Sequence, residues 1–298
     1  MSVTSPPVRR MAFRAMLVVA LCFAADAQGR ERSPGVESTE VQFACRFRSP
    51  TDCGFRTQAM APGRATVVEQ GRAGWKGVRL ETQPGDSHIA GSGANERTDL
   101  LLPQSISDGY EGREHWWAHS VLFPEDYVNP PTSIPGAWHW GAVFGWHHTG
   151  STGQGNFSLF AFPDRAISPD RPTGLVFRIC GGETVIRDAL RCHLTPIGKV
   201  AKNVWYDFVY QVKWSSSEDG YINAWLRLGD EKIARRVVSY RGPTLYTGMG
   251  AYLKAANYHS PHGQSSAIIH SRILRGTSHE AVSLVPLQGL SRTASGSY

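Results

Sequence analysis

Short runs of alternating apolar and polar residues, each closed by a turn, recur over residues 41–274. Side chains alternate between the two faces of a strand, so such runs specify half-buried β-strands. The parity is clearest along 138–148; another long run covers 204–214 and passes through a polar turn, 215–220, into 221–227. That turn ends in Asp219-Gly220, a strong hairpin signal. No stretch carries the 3.6-residue apolar period of a long amphipathic helix, and 31 glycines and 18 prolines punctuate the chain. The pattern predicts an all-β fold: two antiparallel sheets stacked as a β-jelly roll sandwich, with a concave face that forms a groove. A groove suits a chain-like ligand.

The first 27 residues read as an export signal. Arg9, Arg10 and Arg14 precede an apolar run, 15–24, and Ala25-Asp26-Ala27 fits a small-x-small cleavage site. That run is shorter than the roughly 20 residues a membrane-spanning helix needs. Residues 28–40 read as a flexible lead-in, 41–285 as one β domain and 286–298 as a small, polar tail. Cys22 would leave with the signal. Cys45, Cys53, Cys180 and Cys192 remain, an even number in an exported chain, which suggests disulfides. The nearest pairings, Cys45–Cys53 and Cys180–Cys192, each close a short loop, though spacing alone does not fix connectivity. The expected product is a monomer in the periplasm or outside the cell, with no membrane attachment after cleavage. A formal net charge of +6 favours a polyanionic partner. The mature chain lacks a Lys/Arg-dense run with interleaved aromatics, which makes nucleic acid the weaker choice beside an acidic polysaccharide or a membrane surface; solubility alone would also account for the charge.

Three strands carry candidate chemistry. In 252–258, Tyr252, Lys254, Ala256 and Tyr258 share one face. Two phenols and an ammonium around a small residue make a poor core and a good groove floor. In 138–148, parity puts Trp138, Trp140, Ala142, Phe144, Trp146 and His148 on one face, expected in the core. The other face holds His139, Gly141, Val143, Gly145 and His147, which aims His147 into the groove. In 95–102, Asn95, Arg97 and Asp99 share a face, with Asp99 able to hold the Arg97 guanidinium by a bidentate pair. Each has a plainer reading: a solvated strand face, a satisfied histidine, a surface ion pair of little energetic value. The Gly/Ser/Thr loop 149–156, with Gln154, is expected at the groove rim.

Arg97-Thr98-Asp99-Leu100 resembles the Arg-x-Glu-Leu strand of the jelly-roll alginate lyases. Gly145-Trp146-His147 stands where those families carry Gln-x-His. Tyr252-Leu253-Lys254-Ala255-Ala256-Asn257-Tyr258 resembles their Tyr-Phe-Lys-Ala-Gly-x-Tyr strand, and the order along the chain agrees. The strand and hairpin over 204–227 resemble the heparin lyase I and glucuronan lyase group. The resemblance runs from about residue 41 to about residue 280. It implies a jelly roll that cleaves a uronic-acid polysaccharide by β-elimination, with no cofactor. It also implies that Arg97 neutralises the substrate carboxylate and that Tyr258 and His147 act as acid and base. Lys254 would hold the anionic chain, and Asn257 is a further substrate-binding candidate. With glucuronate or mannuronate, the C5 proton and the leaving group lie on one side of the ring, and Tyr258 serves both. With iduronate or guluronate they lie on opposite sides, with His147 as base and Tyr258 as acid. The chain departs twice: Ala256 replaces a Gly, and Gly145 replaces the Gln that helps neutralise the carboxylate. Asn95, His148 or Gln154 would then supply the missing hydrogen bond.

Rival readings make different demands. A non-catalytic jelly-roll module that binds an acidic polysaccharide needs neither His147 nor Tyr258. A retaining glycoside hydrolase needs two carboxylates about 5 Å apart. Hydrolases of this fold usually carry them as Glu-x-Asp-x-x-Glu, a run absent here. A metal site built from His139, His147, His148, His259 and His262 meets a spacing problem, since His139 and His147 stand too far apart on one strand to chelate unaided. No metal is expected in the chemistry, with a structural calcium left as an alternative.

Overall fold

Alternation turns most of these runs into strands. The computed structural model describes residues 40–87, 89, 93–132, 138–165, 168 and 171–290. The expected export signal, nearly all of the lead-in and residues 291–298 of the tail lie outside the described residues. In chain order the first strands are β1 (Val41–Cys45), β2 (Arg56–Ala59), β3 (Ala65–Val68), β4 (Gly77–Thr82) and β5 (Glu96–Leu102). Then come β6 (Glu114–Leu122), β7 (Gly141–His148), β8 (Phe157–Phe162), β9 (Gly174–Ile179) and β10 (His193–Gly198). The last are β11 (Trp205–Lys213), β12 (Tyr221–Leu228), β13 (Arg235–Arg241), β14 (Ala251–His259) and β15 (Ser266–Gly276).

One sheet runs β13-β12-β11-β6-β15-β4-β3, with β1 also paired to β15; the other runs β10-β9-β8-β7-β14-β5-β2. All of their ladders are antiparallel. The chain changes sheet between β1 and β2, β2 and β3, β4 and β5, β5 and β6, β6 and β7, β10 and β11, β13 and β14, and β14 and β15. Such crossings make a jelly roll rather than two separate meanders. The hairpin read from 204–227 is present, with unbroken register from Tyr206 opposite Leu228 to Lys213 opposite Tyr221. Both short-loop disulfides form, Cys45–Cys53 and Cys180–Cys192. Among the described residues no helix is long and apolar enough to cross a membrane.

The core lies between the sheets. Leu100, Phe144, Trp146, Phe177, Leu253 and Ala255 meet Leu80, Trp117, Val121, Phe208, Tyr210 and Ile268 in one cluster. Trp146 joins the layers, with its ring 5.5 Å from Trp117 and 5.6 Å from Tyr210. Burying each large side chain stabilises by roughly 1.5–3 kcal/mol. This uses one face of each strand in the β14 sheet and leaves the other face for a ligand.

The parity expected along 138–148 breaks at a bulge. Opposite β8, Ala142 pairs with Phe160 and Phe144 with Leu159, so Val143 is the extra residue. Val143 and Phe144 therefore both face the core, where both are buried. Before the bulge the faces are exchanged. Trp138, Trp140 and Ala142, expected in the core, line the outer groove. After it, Phe144, Trp146 and His147 take the expected sides. An extra residue flips every side chain beyond it, and the alternation alone does not mark where it falls.

Two histidines sit inside the sandwich. His270 Nε2 meets the Ala256 carbonyl at 3.2 Å, so that nitrogen carries the proton. His270 Nδ1 then accepts from His119 Nε2 at 2.9 Å. Both rings are fully buried. Burial pushes His270 down to about 3 and His119 well below its ordinary value. The unfolded chain binds protons on these groups near pH 6.5, and the folded chain does not. Their stabilisation is therefore complete above about pH 6.5 and is lost as pH falls toward about 3. Each such group costs roughly 1.4 kcal/mol per pH unit in that window. Thermal unfolding is expected to show a markedly lower Tm at pH 5 than at pH 7. A Tm that does not fall across that interval would contradict this account of the pair.

Candidate active site

Register on the outer face of the β14 sheet builds the site. Tyr258 stands opposite Arg97 of β5 and Ala142 of β7. Lys254 stands opposite Leu101 and Gly145, and Tyr252 opposite His147. Beyond β7, Gly145 pairs with Ser158 of β8, which pairs with Arg178 of β9. The groove so formed holds about 720 Å³ and is lined by Tyr252, Lys254, Ala256 and Tyr258 together with Trp138, Trp140, His147, Phe160 and Arg178. Its rim includes residues 150–155, as expected, and Arg187 and Asp188 from the β9–β10 loop. The Cys180–Cys192 disulfide ties the two ends of that loop. Among the described residues, four cationic side chains, Arg97, Arg178, Arg187 and Lys254, line the groove against one carboxylate, Asp188. That excess favours an anionic polymer.

Tyr258 is the most enclosed by chemistry. The Arg97 guanidinium lies 3.8 Å above its ring, and the Lys254 ammonium lies 5.4 Å from the ring centre. Trp140 meets it edge-on at 4.9 Å, and the Asn95 amide donates to its oxygen at 3.5 Å. Beneath them Asp99 is fully buried. One of its oxygens, Oδ2, lies 2.8 Å from Lys254 Nζ and 3.2 Å from Arg97 Nε. The expected bidentate pair is thus a carboxylate shared between two cations. Arg97 also donates to the Gln58 side chain at 3.0 Å. Arg97 and Lys254 are held in place, and half of their combined charge is already balanced.

His147 occupies a different part of the groove. Its ring is 5.6 Å from Tyr252, whose register position is six residues from Tyr258 along β14. Six residues of strand span roughly 20 Å. His147 Nδ1 donates to the His148 carbonyl at 2.9 Å, which leaves Nε2 as a bare acceptor. Burial drives this imidazole down to about 4, and the charges of Lys254 and Arg178 push the same way. It is therefore neutral and basic in form at neutral pH.

Three further candidates occupy other positions. His148 is fully buried on the core side, accepts from Gly150 N at 3.1 Å and meets Tyr246 edge-on. Asn257 is also buried inward, and its amide donates to the Leu80 and Ser266 carbonyls of the opposite sheet. Neither reaches the groove: strand parity sends both the other way. Gln154 lines the groove, but its amide nitrogen is spent on the Arg187 carbonyl at 2.6 Å. Of the residues named to compensate for Gly145, Asn95 is the one beside Tyr258. Conversely, Arg178, Trp140 and Gln58 were not expected here. Strand 174–180 alternates Leu175, Phe177 and Ile179 with Val176 and Arg178, so parity alone would have turned Arg178 outward. Gln58 sits on a four-residue strand with no apolar alternation to reveal it.

A two-layer jelly roll with a cationic, aromatic-lined groove on one outer face has the shape and charge to suit an extended anionic polymer. A family model described as polysaccharide lyase matches residues 48–273, and the chain belongs to that family. It is a polysaccharide lyase in fold and enzyme class. No curated protein matches it in sequence. Among solved structures it is similar to an endo-β-1,4-glucuronan lyase from the fungus Trichoderma reesei. Identity is 13%, coverage is 76% of this chain and 92% of that one, and the TM-score is 0.55. It is also similar to alginate lyase Aly36B, at 11% identity over 74% and 86% of the two chains, with a TM-score of 0.48. At such identities the likeness is one of fold.

Proposed function

We propose that the chain cleaves a polyuronate by β-elimination, with Tyr258 as both base and acid. The observation that carries this reading is the setting of Tyr258 in the groove. Its ring is packed between Arg97 and Trp140, and Lys254 lies on the same face. In this reading Tyr258 acts as its phenolate and takes the C5 proton. The electron pair left on C5 forms the C4=C5 double bond as the C4–O4 bond breaks, and the proton passes to the departing O4. No water is consumed. Positive charge along the groove stabilises the carboxylate as negative charge builds on it.

The distance between His147 and Tyr258 along β14 favours this single-residue mechanism over one shared by both. One residue can serve only where proton and leaving group lie on the same side, as in glucuronate or mannuronate. Glucuronan, the polymer named for the fungal enzyme of like fold, is of this kind. His147 then acts as a neutral acceptor toward sugar hydroxyls at a neighbouring position. The test is the ultraviolet absorbance of unsaturated uronate ends while the purified protein meets glucuronan, alginate and heparin. A rise with at least one polyuronate, and none with neutral glucans, is expected. Flat traces on every polyuronate, despite binding, would favour the non-catalytic module instead.

A further inference from the structure

Among the described residues three arginines are buried: Arg97, Arg178 and Arg272. Arg97 has Asp99 and Gln58, and Arg272 donates to the Val282 carbonyl at 2.8 Å. Arg178 has no carboxylate and no hydrogen-bond acceptor among the described residues. Its Nε is buried and unsatisfied, and its guanidinium carbon lies 4.0 Å over the Phe160 ring. Burial lowers its pKa to about 10, so it remains a cation at neutral pH. An unpaired buried charge is costly, and a fold retains one where something else supplies the counter-charge. Arg178 is also 7% exposed and opens onto the groove, so that counter-charge can come from a ligand.

The surroundings define the ligand. The guanidinium leans over Phe160, which stands opposite Ala142, which stands opposite Tyr258. Two strand spacings, roughly 10 Å, thus separate Arg178's resting place from Tyr258. Trp140 lies between them, its ring 5.9 Å from Phe160 and 4.9 Å from Tyr258. The span has an aromatic platform, a phenol at one end and a free guanidinium fork at the other. We propose that Arg178 is the carboxylate-binding residue for the sugar ring that lies over Trp140 and meets Tyr258. A guanidinium pairs with a planar carboxylate through two parallel hydrogen bonds. Arg97, already shared with Asp99, then shapes and holds the Tyr258 ring. This inference rests on the polyuronate reading of the groove and names its carboxylate partner.

Binding separates the two claims, because it needs no turnover. A glucuronate tetrasaccharide is titrated by calorimetry into the Tyr258→Phe variant with and without Arg178→Ala. Arg178→Gln serves as a second variant that keeps the packing over Phe160. Loss of Arg178 is expected to weaken the uronate at least about tenfold, with Arg178→Lys intermediate and the affinity of a neutral glucose oligomer unchanged. In the wild-type background, Arg178→Gln is expected to lower kcat by about 10²-fold, since charge grows on that carboxylate in the transition state. Unchanged uronate affinity in both neutral variants would overturn the assignment. So would a defect confined to KM, or equal Arg178 dependence for a sulfated glucose oligomer. A wild type that binds uronate through Arg178 but never cleaves it would refute the lyase reading alone.

Discussion

Replacing Tyr258 with Phe is expected to lower kcat on a polyuronate by about 10²–10⁴-fold. The reason is that the account asks one oxygen to perform both proton transfers. Without the hydroxyl, neither the C5 proton nor the departing O4 has a partner. The fold should not notice. The ring packs between Arg97 and Trp140, which Phe preserves, and the hydroxyl's hydrogen bond from Asn95 is long at 3.5 Å. Tm is therefore expected within a few degrees of wild type, and oligosaccharide affinity within a few-fold. Steady-state rates and a melting curve on the same preparation check both halves. A variant that keeps a tenth or more of the activity would remove Tyr258 from the chemistry. His147→Ala is the informative contrast, because its loss should raise KM more than it lowers kcat.

Restoring a Gln at position 145 is expected to damage the protein rather than improve it. Resemblance alone would treat Gly145 as a lost side chain. The backbone gives a different picture. Gly145 has a φ of +154°, and a Cβ there would lie 2.1 Å from the Phe157 carbonyl oxygen and 2.6 Å from Ser158 Cα. Those atoms belong to the paired strand β8 and cannot swing aside as a flexible side chain could. Overpacking of this kind costs roughly 1–3 kcal/mol, and strained backbone adds a similar amount. Gly145→Gln and Gly145→Ala should both lower Tm by about 5–15 °C, at roughly 2–4 °C per kcal/mol for a domain of this size. Activity should fall in step. A Gly145→Gln protein that melts like wild type and turns over faster would mean that the groove had room for the missing amide. That result would also weaken the case for Arg178 as its replacement.

Much of this site is legible in the sequence. The face shared by Tyr252, Lys254, Ala256 and Tyr258 follows from alternation, and all four line the groove on a strand in unbroken register with β5. The hairpin at 215–220 follows from turn chemistry, and the two disulfides are the nearest of the pairings that cysteine spacing leaves open. What escaped did so for physical reasons. Val143 as a bulge leaves no mark in the alternation, so Trp138 and Trp140 were assigned to the core when they line the groove. The short or polar strands β2, β3, β10 and β13 carry too little apolar periodicity to stand out. His148 and Asn257 were drawn into the site by their neighbours in sequence. Each lies one residue from a groove residue and therefore points the opposite way. Charge balance was the least visible feature, because it depends on which cations share Asp99.

The central claim is that a single phenol, with a guanidinium across the platform from it, carries the elimination. The stereochemistry of the substrate tests it most directly. Initial rates of unsaturated-end formation should be compared on polymannuronate and polyguluronate of equal chain length, which differ only at C5. One residue serving both proton transfers predicts cleavage of polymannuronate, or of glucuronan, at least about 10²-fold faster than polyguluronate. Equal rates on the two epimers, or a preference for polyguluronate abolished by His147→Ala, would contradict it and return the base to His147.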